Sequence, residues 1–260
     1  MKIDFFKYQG AGNDFVIVDN RQQIFPKDDF DLIERLCDRK FGIGADGFML
    51  LENAKDCDFK MEYFNADGRP GSMCGNGGRC IVAFAKTLNL FEASTSFVAL
   101  GKKYQATITG ELVHLKMMDV DHIEMHKDHV FLDTGSPHHV TFIENLSEFN
   151  VVEHGRQIRY GSPYFEKGTN VNFVEKLNEN TFSVRTYERG VEDETLSCGT
   201  GVTAVALASF HLEKTKEKKV HIKTRGGNLK IEFEEGQKGY KNIILSGPAT
   251  FVFNGTIDIG

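Results

Sequence analysis

The chain has 260 residues, 40% of them hydrophobic and 26% charged, with a formal net charge of −6. That length allows one large domain or two smaller ones with cores of their own, in an ordinary soluble composition. The negative balance argues against a nucleic-acid surface, and no apolar run approaches the roughly 20 residues needed to cross a bilayer.

The first residues, Met-Lys-Ile-Asp-Phe-Phe, lack the apolar core of a signal peptide. Five cysteines are sparse and odd in number, which predicts a reducing cytoplasm and not a disulfide framework. The sequons at Asn145 and Asn254 are then chance.

Residues 3–8 and 15–19 carry apolar and β-favouring side chains around Gly10-Ala11-Gly12-Asn13. This predicts a hairpin with a glycine-rich connection. Asn13 either forms that turn or projects a short polar side chain from it. Residues 31–40 have Leu32, Ile33, Leu36 and Cys37 at helical spacing, which assigns Cys37 to the core. Gly42, Gly44 and Gly47 match the dinucleotide-binding fingerprint only formally. They follow a helix and precede the apolar strand 48–51, the reverse of what that motif requires. Residues 59–64 alternate around Lys60 and Glu62 as a strand, and Asn65-Ala-Asp-Gly68 turns.

Residues 73–85 follow: Met-Cys-Gly-Asn-Gly-Gly-Arg-Cys-Ile-Val-Ala-Phe-Ala. A glycine-rich turn feeds an apolar helix with Cys74 at its positive end, a position that favours thiolate. The backbone N–H groups of residues 75–78 would face an anion placed there. Cys57 and Cys80 lack a partner pattern and are buried or incidental. Residues 97–117 give two or three strands with a turn at Thr109-Gly110. His122, His126 and His129 lie in a charged connection and read as solvated. The basic stretch 214–219, with Glu217 inside it, reads as a solvated helix end.

The second half repeats the order of the first. Residues 130–143 are strand, glycine turn, strand. Residues 168–174, 182–187 and 188–193 lead into Ser197-Cys198-Gly199-Thr200-Gly201-Val202, which opens a second apolar helix. The pattern predicts an α+β fold of two pseudo-symmetric halves. Each is a curved antiparallel sheet or barrel around a central helix, with an active site in the cleft between them. The halves are residues 1–117, completed by a C-terminal strand within 249–260, and residues 118–248.

Two thiols at two helix N-termini narrow the chemistry. Disulfide exchange wants Cys-x-x-Cys, which is absent. Zinc wants paired ligands at short spacing, and no metal site is predicted. Cysteine-protease chemistry leaves the second thiol without a role. Racemisation uses both: one thiolate removes a proton and the opposite thiol delivers one to the other face. The helix N-termini would hold the substrate carboxylate and stabilise the charge that builds on it. No cofactor is implied, since nothing marks a Schiff-base lysine or a phosphate cup.

These residues carry a resemblance. Asn65-Ala-Asp-Gly68 with the Cys74 motif, and Tyr187-Glu-Arg-Gly190 with Cys198-Gly-Thr-Gly201, resemble diaminopimelate epimerase. So do Gly10-Ala-Gly-Asn-Asp-Phe15 and Gly42-Ile-Gly-Ala-Asp-Gly47, and the match runs in order along essentially the whole chain. The Cys-Gly-x-Gly motif alone is shared more loosely with proline-racemase-like relatives. The resemblance implies a pyridoxal-independent isomerase converting LL-diaminopimelate to the meso form, in lysine and peptidoglycan precursor synthesis, and a homodimer. It implies Cys74 and Cys198 as the catalytic pair. Gly75 and Asn76, with Gly199 and Thr200, become carboxylate-binding turns. Asn13, Asn65, Asn170 and Arg189 become substrate holders. His138 and Glu188 tune the thiols, and Glu188 also touches substrate. Some members have Gln at the position of Gly47 and Asn at that of Ser136, and the loop between Gly190 and Cys198 is one residue longer here.

Three rivals stand beside this reading. An epimerase of the same fold could act on another amino acid, although Arg189 with Asn65 and Asn170 favours a distal carboxylate. A non-catalytic binding protein or a metal-binding regulator could keep the fold.

Overall fold

In a computed structural model, which describes residues 1–71 and 73–260, the chain divides into two compact units. The first is residues 1–115 with 247–260, and the second is residues 116–246.

The first unit opens with β1 (Lys2–Gly10) and β2 (Asn13–Asp19). They pair antiparallel across the two-residue connection Ala11-Gly12. Both connecting residues have positive φ, 54° and 87°, the primed-turn geometry that matches strand twist. Helix α1 (Phe30–Cys37) packs Leu32, Ile33, Leu36 and Cys37 onto the sheet. It ends three residues before the predicted limit. Asp38 adopts extended backbone as the C-cap, and its carboxylate accepts from the N–H groups of Lys40 and Phe41.

Strands β3 (Gly47–Glu52) and β4 (Phe59–Asn65) follow, then α2 (Gly75–Thr87), β5 (Ser94–Ala99), β6 (Lys102–Thr109) and β7 (Leu112–Lys116). Every residue of β3 is buried. Phe48 and Leu50 face the α1 side, while Met49 lies on the opposite face, against Gly77 of α2. The C-terminal strand, Thr250–Asp258, pairs antiparallel with β1 from Lys2↔Asp258 to Gln9↔Thr250. Helix α2 packs against β1, β2, β3 and that strand.

The second unit has β8 (Ile123–Met125), β9 (Val130–Asp133), β10 (Pro137–Phe142), α3 (Val151–Tyr160), β11 (Asn170–Lys176) and β12 (Thr181–Glu188). After these come β13 (Asp193–Thr195), α4 (Gly199–His211), β14 (Lys219–Thr224), β15 (Gly227–Glu235) and β16 (Tyr240–Pro248). Helix α4 is apolar all round and its first eleven residues are buried, as a helix enclosed by sheet requires.

The sheets are mixed, which corrects the antiparallel expectation. In the first unit β2 and β3 pair parallel, as do β4 and β5. In the second, β10 and β11 pair parallel, as do β12 and β14. The reason is topological. A strand followed by a helix returns in its original direction, so each crossover through α1, α2, α3 or α4 produces a parallel neighbour. All other pairs in this series are antiparallel in both units. The two units therefore share one sequence of pairing senses, as a duplication predicts.

His129 is a second correction. Only 13% of its side chain is exposed. It stacks between His126 and His139 at 4.3 and 4.0 Å, because β8 and β9 fold their connection back onto β10. No described helix is long and apolar enough to cross a membrane.

Arg79 is the largest fully buried side chain of the chain's described residues. It lies inside α2 and donates to the Gly75 carbonyl, Asn76 Oδ1 and the Pro248 carbonyl at 3.2, 3.0 and 3.4 Å. Arg79→Met keeps the volume but leaves these acceptors without their donor. Chemical denaturation should show a loss of roughly 2–4 kcal/mol, whereas a surface Arg→Met change such as Arg69→Met should cost little.

Candidate functional site

Cys74 and Cys198 are the N-cap residues of α2 and α4, each in extended backbone. Their carbonyls accept the first helical bonds, from Gly78 and Val202 at 2.8 and 2.9 Å. Neither thiol caps its own helix. Each sulfur is thus left beside the first-turn N–H groups, where the helix dipole is positive.

In the first unit, Cys74 Sγ donates to Asn13 Oδ1 at 3.5 Å, and Asn76 Nδ2 reaches the same oxygen at 3.4 Å. Asn13 is oriented from behind: its Nδ2 donates to Asp46 Oδ2 at 2.7 Å. A carboxylate only accepts, so the amide oxygen must face the thiol. Arg39 joins the two glycine motifs by donating to both oxygens of Asp14 and to Asp46 Oδ1. Lys7 pairs with Asp14 at 2.7 Å and donates to the Gly44 carbonyl. Burial opposes the charge on Asp14, but Arg39 and Lys7 outweigh it and hold the carboxyl well below the usual range. Gly44 has φ +82°, and a Cβ there would meet Arg39 Cα at 2.9 Å. Asn65 is exposed at the end of β4.

Burial distinguishes two of the other cysteines, Cys37 and Cys80. Burial pushes the Cys37 thiol up to about 12 and pushes the Cys80 thiol up as well. These are protonated core residues. Cys57 is partly buried.

In the second unit, Cys198 is buried and its Sγ lies 3.4 Å from Thr200 Oγ1. That hydroxyl is 2.9 Å from His138 Nε2. His138 is fully buried, and burial followed by the positive charge of Arg189 lowers its pKa to about 3. The imidazole is therefore neutral. Thr134 Oγ1 donates to the Thr200 carbonyl at 2.8 Å and fastens the same turn.

Asn170 is buried and both ends of its amide are engaged. Nδ2 donates to the Pro137 carbonyl, and Oδ1 accepts the Arg189 backbone N–H, both at 3.0 Å. It holds Arg189 in place at the end of β12. Arg189 itself is exposed, and its guanidinium donates to the Lys167 carbonyl at 2.9 Å. Two nearby carboxylates pair elsewhere: Glu192 with Arg159, and Glu194 with Arg185 and Arg225. Glu188 closes β12 beside it. The concave surface along α3, from Asn150 to Tyr160, is lined by none of the predicted site residues.

Gly47 has a physical reason. A Cβ there would meet the Tyr63 ring at 2.7 Å and its hydroxyl at 2.8 Å. A Cβ at Gly71 would meet the other edge of that ring at 2.4 Å. Tyr63 thus fills the space that a side chain at residue 47 would occupy. Sequence reasoning missed Asp46, Thr134, Asn172 and Thr186 as supports of the site. The one available signal was Asn170-Val-Asn172: two amides on one face of an otherwise apolar strand.

Residues 5–128 and 130–252 match the sequence model of a family described as diaminopimelate epimerase. A diaminopimelate epimerase of Flavobacterium psychrophilum is 53% identical over 253 residues, 97% of this chain and 99% of that one. One from Chlorobaculum tepidum is 44% identical over 262 residues, covering 96% and 99%. Among solved structures, a phenazine biosynthesis protein of the PhzF family from Bacillus anthracis superposes with a TM-score of 0.80 over 99% of both chains. It is 14% identical and shares the fold.

The two Cys-Gly-x-Gly turns differ in how closely they are packed. A Cβ on Gly201 would meet Asn172 Oδ1 at 2.5 Å, whereas one on Gly77 would reach Met49 Sδ at an ordinary 3.4 Å. Gly201→Ala should destabilise by about 1–3 kcal/mol through overpacking. Gly77→Ala should be neutral or gain up to about 1 kcal/mol from helix propensity. Thermal and denaturant unfolding of the two variants checks this order.

Proposed function

Because the chain belongs to the diaminopimelate epimerase family, it is an isomerase, and we propose that it interconverts LL- and meso-diaminopimelate using Cys74 and Cys198 as its acid–base pair. The observation that carries this reading is the recurrence of one device. Each unit buries a helix whose first turn is Cys-Gly-x-Gly and whose N-cap residue is the cysteine.

The reaction requires the two thiols to meet opposite faces of the substrate α-carbon. One thiolate takes the α-proton, forming an S–H bond as the C–H bond breaks. The electron pair passes into the adjacent carboxylate, which the first-turn N–H groups at residues 75–76 and 199–200 stabilise. The other thiol then gives its proton to the opposite face and is left as thiolate. The stereocentre is inverted, and the two sulfurs have exchanged protonation states.

Asn13, presenting its oxygen to Cys74, supports a protonated thiol on that side. In the second unit His138 and Thr200 stand behind Cys198, with Glu188 at the end of β12. Arg189, fastened by Asn170, is suited to grip the distal carboxylate. The enzyme is cytoplasmic and acts as a homodimer. Phe251, Val252 and Phe253, 48, 51 and 44% exposed on the C-terminal strand, support self-association; sedimentation tests that state.

Incubation with LL-diaminopimelate in heavy water should yield the meso product with deuterium at the α-carbon. Cys74→Ala and Cys198→Ala should each abolish turnover, and Cys37→Ala should keep it. Near-wild-type rates in either of the first two would overturn the two-thiol mechanism.

Arg189→Lys keeps the charge but loses the guanidinium fork. Binding of the dicarboxylate should weaken by about 1.5–3 kcal/mol. An analogue without the distal carboxylate should bind poorly to both proteins and be indifferent to the change. Calorimetric titration of two proteins with two ligands gives the coupling. Additive losses would remove Arg189 from the far end of the substrate.

A further inference from the structure

Behind Cys198 lies a column of hydrogen bonds whose direction can be read from its far end. Thr186 Oγ1 is 3.0 Å from Asn172 Oδ1. Asn172 Nδ2 is 3.0 Å from the His139 carbonyl and 3.1 Å from His138 Nδ1. His138 Nε2 is 2.9 Å from Thr200 Oγ1, which is 3.4 Å from Cys198 Sγ. All of these residues are buried.

A carbonyl can only accept, so the amide nitrogen of Asn172 must face His139. A flipped amide would set two oxygens against each other there, and would oblige Thr186 to accept where its hydroxyl now donates. The second amide hydrogen then points at His138 Nδ1, which must be the bare nitrogen of the neutral ring. The ring proton is left on Nε2 and goes into the Thr200 oxygen. With that lone pair occupied, the Thr200 hydrogen is turned to its remaining partner, Cys198 Sγ.

The first unit shows that the fold does not demand these polar residues. The parallel ladder of β2 with β3 begins at Phe15↔Gly47, and that of β10 with β11 at His138↔Asn170. Two residues further on, β3 carries Met49 where β11 carries Asn172. Their antiparallel partners are Tyr63 and Thr186. The helices agree with this equivalence. Gly77 of α2 abuts Met49 and Phe15, and Gly201 of α4 abuts Asn172. Phe15, Met49 and Tyr63 thus occupy in one unit the places of His138, Asn172 and Thr186 in the other. Burying the polar set carries a desolvation cost that the first unit largely avoids, so its presence needs a reason other than folding.

We propose that Asn172 is a positioning residue: by holding the His138 proton on Nε2, it makes the Thr200 hydroxyl a donor to Cys198 Sγ. Thr186 holds the amide in the required sense. Arg189 is the charged group acting on His138, and it opposes a second proton on the ring. The inference rests on the two-thiol reading for its importance in turnover, but the direction of the bonds does not.

Nitrogen NMR of histidine-labelled protein without substrate reads the tautomer directly. His138 should carry its proton on Nε2 at neutral pH. A proton on Nδ1, or a doubly protonated ring, overturns the proposal. Asn172→Leu removes the donor and should give mixed tautomers. The pH midpoint for alkylation of Cys198 should rise, with about tenfold less thiolate at neutral pH, while that of Cys74 stays. An unchanged tautomer or an unchanged Cys198 midpoint overturns it. In a Thr200→Val background, Asn172→Leu should shift the Cys198 midpoint no further; additive shifts mean that Asn172 does not act through Thr200. If Asn172→Leu does not fold, Thr186→Val frees the amide to flip and is read the same way. None of these measurements uses substrate. Failure of the wild type to epimerise diaminopimelate would therefore refute the function and leave the hydrogen-bond assignment standing.

Discussion

A buried helix cannot leave its first-turn N–H groups to water, and a cysteine side chain is a poor cap for them. Both α2 and α4 are in this position. Their first turns are hidden by the sheets that wrap them, and their N-caps are Cys74 and Cys198. The arrangement is locally unfavourable unless an anion arrives or the turn is otherwise secured. Much of the surrounding structure secures it: Arg79 and Asn76 on one side, Thr134 and Thr203 on the other. A thiolate or a substrate carboxylate then meets donors that are already in place, which is the electrostatic preorganisation that proton transfer at carbon requires.

The two units meet this constraint in chemically different ways. The first orients Asn13 with a charged network of Asp46, Arg39, Asp14 and Lys7, and gives Cys74 an acceptor. The second orients a neutral histidine with a neutral amide. A duplication supplies two equal frames, but a reaction that removes a proton on one side and adds one on the other needs unlike surroundings. The ladder equivalence of Phe15, Met49 and Tyr63 with His138, Asn172 and Thr186 locates that difference at three positions on three adjacent strands.

Glycine enters the site in two capacities. Gly12 and Gly44 supply positive φ in the turns that carry Asn13 and Asp46. Gly47, Gly71 and Gly201 are needed for approach: at each a Cβ would fall within 3 Å of a neighbouring side chain. The first capacity is legible from turn chemistry. The second is legible only once the neighbour is known, since Tyr63 and Asn172 come from distant parts of the chain.

The sequence by itself determined the elements, their repetition and the two thiol-headed helices, because periodicity and turn residues are local properties. It also placed Cys37 in the core and identified the family through motifs spread over the chain. Tertiary structure alone decided the parallel pairings, since these depend on how a crossover returns. It decided that His129 is held in a ring stack and that Arg79 of α2 is fully buried. It decided that Asn170 ties the Arg189 backbone N–H to the Pro137 carbonyl through the two ends of its amide. It also decided that Asn172 and Thr186 stand behind His138. Hydrogen-bond direction is set by partners far apart in the chain and brought together only by the sheet, so no local pattern could have announced it.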